Sequence, residues 1–255
     1  VEGDGRQEVP GVNRDKLSLG ECLLEESKSN NRKKIQTGEN MNVELLRHSP
    51  MSIVINAIRK CYESEGNSDS TFVYDRPGFG GTYTLGPKDI DLVRRIVNSG
   101  HLSTIEHAVY TFEIDGISRG CLQEFARHRI ASLSVKSTRY TLGRIKSEEP
   151  FRAGREDMER AGKYLVFTGE ADIDYASMRH LEDVRLGAVA GIPNDKLKYS
   201  LPESFKTSLI WTINARSLRN FLELRLSERA HWEIRELAVA IINHIPTDHM
   251  ILFNA

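Results

Sequence analysis

Apolar positions along the chain fall into two rhythms. Steps of three and four recur at 52–61 (SIVINAIRKC), 87–98, 172–189, 215–226 and 230–242, the spacing of helices buried on one face. Steps of two recur in HAVYTFEIDGI, which predicts a strand at 107–114, and in FKTSLIWTIN at 205–214. A short strand is expected at 43–46, and SVKSTRYTL alternates like another. Pro87 opens a helix that Gly100 ends. Ser118 caps a further helix through Cys121, Phe125 and His128, and a short helix at 195–198 is broken by Pro202. The Gly/Ser/Asp-rich stretch from Ser64 to Gly86 reads as a long, ligand-facing loop, and 148–170 is charged and irregular. No internal repeat is present. The sum is an α+β fold: a largely antiparallel sheet flanked by helices in a single domain.

The first 40 residues keep neither rhythm. They are polar, charged and rich in Gly, Ser and Asn, a composition that predicts a disordered or weakly ordered extension ahead of a globular domain at 41–255. Met41 is the expected natural start. The chain opens on Val, which a GTG codon encodes, and Gly38-Glu39 is compatible with a ribosome-binding sequence just upstream of an ATG. The alternative is a genuine flexible extension. An intact mass of the endogenous protein that includes residues 1–40 would overturn the Met41 start.

Composition narrows the classes. Of 255 residues, 35 are Lys or Arg and 36 are Asp or Glu, a net charge of −1, so no broad basic surface for nucleic acid is expected. No apolar run reaches bilayer-spanning length, and no membrane association is expected. Cys22, Cys61 and Cys121 form no CxxC pair and are odd in number, which fits a reduced, cytoplasmic setting. No secretory signal is evident. The eight histidines show no HExxH or other close pair, so no metal site is expected.

Candidate chemistry is uneven. GFGG at 78–81 follows a proline and opens no helix, so a flexible loop outweighs a dinucleotide turn. Cys121 sits beside Leu122 and Phe125 and reads as a buried structural thiol rather than a nucleophile. FARHRIASLSVKSTRY carries more. On a helix, Glu124, Arg127 and His128 share a face. In a following strand Ser137 and Arg139 point the same way. Guanidinium forks beside a hydroxyl suit the oxygens of a small phosphorylated ligand, against the blander alternative of a solvated basic helix end.

RHRIASLSVKS has the form RHR, seven residues, Ser, and STRY follows. GHLSTIEHAVYTFEI lies ahead of it; WTINARSLRNFLELR and HWEIRELA lie behind. In these blocks, in this order, the chain from about 43 to 242 resembles the flavin-dependent thymidylate synthases. The resemblance implies a single catalytic domain that makes dTMP from dUMP. It implies FAD as cofactor, methylenetetrahydrofolate as carbon donor, NADPH as reductant, and a homotetramer with shared active sites. By motif position it implies FAD contacts at His101, Ser103, Glu106, Arg127, His128, Arg129, Ile130, Asn214, Arg216 and Asn220. It implies dUMP contacts at Glu124, Arg127, Val135, Ser137, Arg139, Lys198 and Arg225. Arg225 and Ser137 are the expected catalytic pair: Arg225 favours ionisation of uracil N3, and Ser137 holds the nucleotide phosphate without acting as a nucleophile.

The chain departs from the family pattern at a few positions. Ser134 stands where Asn is frequent. Val135 replaces an acidic residue, so its backbone N–H is the expected contact. Gln123 replaces an Arg, with Arg119 one turn earlier as compensation. Lys198 replaces an Arg, a point charge in place of a fork. Two rival readings remain: a flavoprotein on the same scaffold acting on another substrate, and a nucleic-acid-binding module, which would need aromatic residues interleaved with the basic ones.

Overall fold

The computed structural model describes residues 41–74, 81–152 and 154–253. The expected N-terminal extension, Cys22 and Gly78, Phe79 and Gly80 of the glycine motif lie outside the described residues. In chain order the elements are β1 (Asn42–His48), α1 (Met51–Cys61), β2 (Thr71–Tyr74), β3 (Gly81–Thr84), α2 (Pro87–Asn98), β4 (Val109–Ser118), α3 (Arg119–Phe125) and β5 (Ala131–Val135). They continue as α4 (Thr138–Thr141), α5 (Arg155–Ala161), α6 (Ala171–Val189), α7 (Asn194–Leu197), β6 (Lys206–Asn214), α8 (Ala215–Arg225) and α9 (Trp232–Asn243). Turns of 3-10 helix stand at Leu102–His107, Leu142–Ser147, Lys198–Ser200 and Thr247–Leu252.

The two-residue alternation becomes a four-stranded antiparallel sheet in the order β1-β4-β6-β5. Leu209, Trp211 and Ile213 of β6 point to one face, where Tyr110, Phe112 and Ile114 of β4 meet them, with Phe112 directly opposite Trp211. A bulge between Asp115 and Ile117 holds Gly116 at φ 78° and turns Ile117 back to the buried face. Helices α1, α2, α8 and α9 cover that face with Ile55, Val93, Leu218, Leu237 and their neighbours. A second, smaller core lies under α6, where Met178, Leu181 and Val184 pack on Leu142, Ile145, Phe151 and Leu165.

Polar clamps join these layers. Glu233 of α9 is buried and accepts from the backbone N–H of Ser118 at 2.6 Å and from its hydroxyl. The same hydroxyl oxygen accepts from the Cys121 N–H at 2.9 Å and caps α3 as expected. Arg59 and Asp89 form a buried ion pair between α1 and α2. Burial works against the Asp89 charge, but Ser68, Ser70 and Arg59 hold its carboxyl below the usual range.

Four sequence expectations are corrected. The region 64–86 is not one long loop: β2 and β3 pair as a hairpin, anchored where Asp69 accepts from the Lys88 and Asp89 N–H groups and caps α2. SVKSTRYTL does not stay extended. It leaves the sheet after Lys136, whose N–H is the last to reach β6, and coils into α4, with the Ser137 carbonyl accepting from Tyr140 and Thr141. The helix expected to reach His128 stops at Phe125. The irregular 148–170 contains α5.

Trp211, Phe125 and Phe221 form a fully buried ring cluster, with centroids 4.5 Å (Phe125 to Trp211), 5.2 Å (Trp211 to Phe221) and 5.5 Å (Phe125 to Phe221) apart. It lies directly beneath the α3–β5 turn. Phe221→Ala is expected to cost about 3–5 kcal/mol in urea denaturation.

Candidate functional site

The site begins with the end of β6. Asn214 leaves the strand and its Oδ1 accepts from the Ser217 N–H at 2.9 Å, capping α8. The first turn of α8 therefore faces a cleft of about 1000 Å³, a volume that accommodates a large cofactor. Arg216, Asn220 and Leu224 recur at helical steps along one wall, and Arg127, His128, Arg129 and Ile130 of the α3–β5 turn form the other. Ile130 is an exposed apolar side chain, suited to a flat ring. Five arginines (127, 129, 216, 225 and 229) line the cleft against one carboxylate, Glu106, which pairs with Arg216 at 2.7 Å. A cationic cleft at a helix N-terminus is built for phosphate.

Arg225 is the best-held of these cations. Its Nε–H donates to His128 Nε2 at 3.0 Å, and its two terminal nitrogens donate to the side chain and backbone carbonyl of Glu124, each at 3.1 Å. A guanidinium has five N–H groups and gives up none, so two remain for a ligand, and the ring nitrogen it faces carries no proton. Burial, followed by the charges of Arg225 and Arg127, pushes the His128 imidazole down to about 4, although Glu124 opposes this. His128 is therefore neutral, with its proton on Nδ1. Its ring stands edge-on to Phe221 at 4.9 Å, which ties the site to the buried aromatic cluster.

The predicted site residues do not all meet. Glu106, Arg127, His128, Arg129, Ile130, Asn214, Arg216, Asn220 and Arg225 line the cleft, and Glu124 braces Arg225 from behind. His101 and Ser103 sit in and beside the Leu102–His107 turn that presents Glu106, but not on the cleft wall. Val135, Ser137, Arg139 and Lys198 do not line it either. Asn194 of α7 donates to the Arg139 carbonyl at 2.8 Å, so α4 packs on α7, and Lys198 follows directly. Exposed Tyr140 and Tyr199 flank these two cations. Ser137 and Arg139 do not share a strand face as expected, because two residues of a helical turn separate by about 200°.

Residues 44–248 match the model of the thymidylate synthase complementing protein family. The flavin-dependent thymidylate synthase of Wolinella succinogenes is 51% identical over 84% of this chain and 97% of its own length. That of Campylobacter jejuni is 46% identical over 84% and 96%.

The chain belongs to the flavin-dependent thymidylate synthase family.

Among solved structures, thymidylate synthase X of Helicobacter pylori with FAD and dUMP superposes with a TM-score of 0.74 at 42% identity, covering 84% of this chain and 97% of that one. The antiparallel sheet with flanking helices is thus the fold of the family.

Seen as a family member, several departures acquire local explanations. Gln123 donates to both carboxylate oxygens of Glu203 at 2.9 Å and so turns away from the cleft. Lys136 donates to the Ser208 carbonyl, so the next outward-facing N–H along the edge strand is that of Val135. Its amide points out from the sheet edge. Arg229 and Ser227 line the cleft but escaped sequence reading. The signal was a Ser two residues before an Arg, since the Ser227 oxygen accepts from the Arg229 N–H at 3.3 Å. Cys121 is buried, and burial followed by the Glu233 charge pushes its thiol up, so it holds no thiolate.

The neutral His128 sets a pH dependence. Its unfolded value is about 6.5 and its folded value about 4, so the unfolded chain binds the extra proton first. Stability is complete above about pH 6.5 and falls as pH drops toward 4. His128→Gln, which still accepts from Arg225 but does not titrate, is expected to lessen this fall in melting temperature between pH 7.5 and 5; the buried His249 imidazole, also pushed down to about 4 chiefly by burial, supplies a share that remains.

Proposed function

We propose that this enzyme methylates dUMP reductively: dUMP, methylenetetrahydrofolate, NADPH and a proton give dTMP, tetrahydrofolate and NADP+. The observation that carries this reading is the Arg225 fork, held by Glu124 and His128 with two N–H groups open to the cationic cleft. The Helicobacter pylori relative that shares the fold was solved with FAD and dUMP, and we extend both ligands to this chain, its catalytic domain spanning 41–255.

FAD fits the cleft. Glu106, Arg127, His128, Arg129, Ile130, Asn214, Arg216 and Asn220 would hold it, the arginines and the α8 N-terminus suiting its phosphates. His101 and Ser103 would approach from the turn that carries Glu106. Bound flavin supplies the two electrons that bring the transferred carbon to a methyl group. Arg225 would face uracil N3, where a fixed cation favours the ring anion and raises electron density at C5. No cysteine adduct is needed, and Cys121 could not supply one.

Ser137, Arg139, Lys198 and the Val135 amide would hold the nucleotide phosphate. Ser137 precedes α4 without using its hydroxyl as a cap, so that hydroxyl remains available to donate. None of these residues lines the cleft. One chain then offers two half-sites, which supports a homotetramer whose active sites are completed by neighbouring copies. Among the described residues no helix is long and apolar enough to cross a membrane, and we place the enzyme in the cytoplasm.

With FAD and NADPH present, tritium should be released from [5-3H]dUMP; its absence under reducing conditions would overturn the assignment. Arg225→Ala should fold, take up flavin and lose that release by about a hundredfold or more. Cys121→Ala should retain it.

A further inference from the structure

A second cavity lies on the opposite face of the sheet. It encloses about 540 Å³ and shares no lining residue with the arginine-rich cleft. Its floor is a row across all four strands. Asn42 of β1 stands opposite Asp115 of β4, Asp115 opposite Ser208 of β6, and the Lys136 N–H reaches the Ser208 carbonyl at 2.8 Å. Lys206 projects from the same face two residues along. Its Nζ donates to the Gly162 carbonyl at 2.6 Å, and its own N–H to Tyr164 at 2.7 Å, which fixes the segment bearing Lys163 against the start of β6. The Leu142–Ser147 turn closes the rim with Arg144 and Ile145.

Four cations from four chain segments therefore converge on one cavity: Lys136, Arg144, Lys163 and Lys206. Asp115 is the one carboxylate on its wall. Lys136, Arg144 and Lys163 have no ion-pair partner among the described residues. Lysines spread over a face are ordinarily solvated and need no ligand. Here, however, backbone pairing pins three of the segments, and Thr138 and Ser208 add hydroxyls on the same wall. Side chains on a strand alternate, so Lys136 faces this cavity while Val135 and Ser137 face away from it.

We propose that this cavity is a binding site for a small polyanion, a molecule with two or more phosphate or carboxylate groups, distinct from the flavin cleft and from the nucleotide half-site. A single anionic group would meet one or two of the four cations; a chain of them spans the cavity. The site goes beyond the proposed methylation of dUMP and does not rest on it.

The test is calorimetric titration of the full chain, with FAD in excess to occupy the cleft. The probes are sodium tripolyphosphate and, separately, tri-γ-glutamate, at low ionic strength where such contacts are least screened. One or both should bind once per chain, and the arm that binds identifies the source of the anion. Lys136→Gln/Lys163→Gln should weaken that binding by about tenfold or more while leaving melting temperature and flavin uptake unchanged. Three results would overturn the proposal: no heat with either probe, unchanged affinity in the double variant, or displacement of the probe by dUMP, which would make the cavity part of the nucleotide site.

Discussion

Strand β6 has both edges taken, and the site hangs from that fact. It pairs with β4 along its whole length and with β5 over five positions. Its C-terminal residue, Asn214, is at once the end of the strand and the cap of α8. The direction in which β6 leaves the sheet therefore aims the α8 N-terminus, with Arg216, Asn220 and Leu224 along one side and Arg225 at the far end of the helix. The β5 edge, fixed by the same strand, delivers Lys136 to one face and Ser137 to the other. A shift of one residue in the β6 register would exchange the buried and exposed faces of this strand and dismantle both halves together.

Electrostatics in the cleft follow from the fact that a guanidinium never yields its proton. Five arginines line one cleft, and the arrangement holds because His128 stays neutral and Glu124 places a carboxylate against Arg225 and Arg127. The remaining positive field is available to a ligand's phosphates. The neutral imidazole also rests on Phe221, whose contacts run through Phe125 to Trp211 of β6. Charge placement in the site and aromatic packing in the core are thus one continuous arrangement. The same sheet carries a cationic cavity on its other face, so the strand that orders the cleft orders that cavity too.

Much of this was legible in the chain. The helices at 52–61, 87–98 and 172–189 and the strands around Phe112 and Trp211 declared themselves through periodicity, because a one-sided core imposes a repeat on residues that are local in sequence. Ser118 and Pro87 marked helix starts because capping is also local. The motif blocks led to the cleft residues, since each block is a contiguous turn or helix edge. The hairpin at 71–84 was illegible: its ends are anchored by Asp69, which accepts from N–H groups of α2, and by Ser68 and Ser70, which donate to Asp89 of α2, and turn-rich composition alone does not reveal such a clamp. The α4 turn was missed because the alternation of residue types persists past Lys136, the point where the chain leaves β6.

By itself, then, the sequence determined the fold class, the family and the chemical type of each site residue, because these depend on short-range patterns and on which side chains are present. Tertiary structure alone decided how those residues group. Arg225 and His128 are 97 positions apart, yet their hydrogen bond settles which nitrogen of the imidazole holds the proton. The Arg139 carbonyl meets Asn194, 55 positions on, only through the packing of α4 on α7. Lys136, Arg144, Lys163 and Lys206 look like scattered surface charges until the sheet and its roof gather them around one cavity. Distance in space between residues far apart in the chain is set by long-range strand register and packing, and no local pattern encodes it.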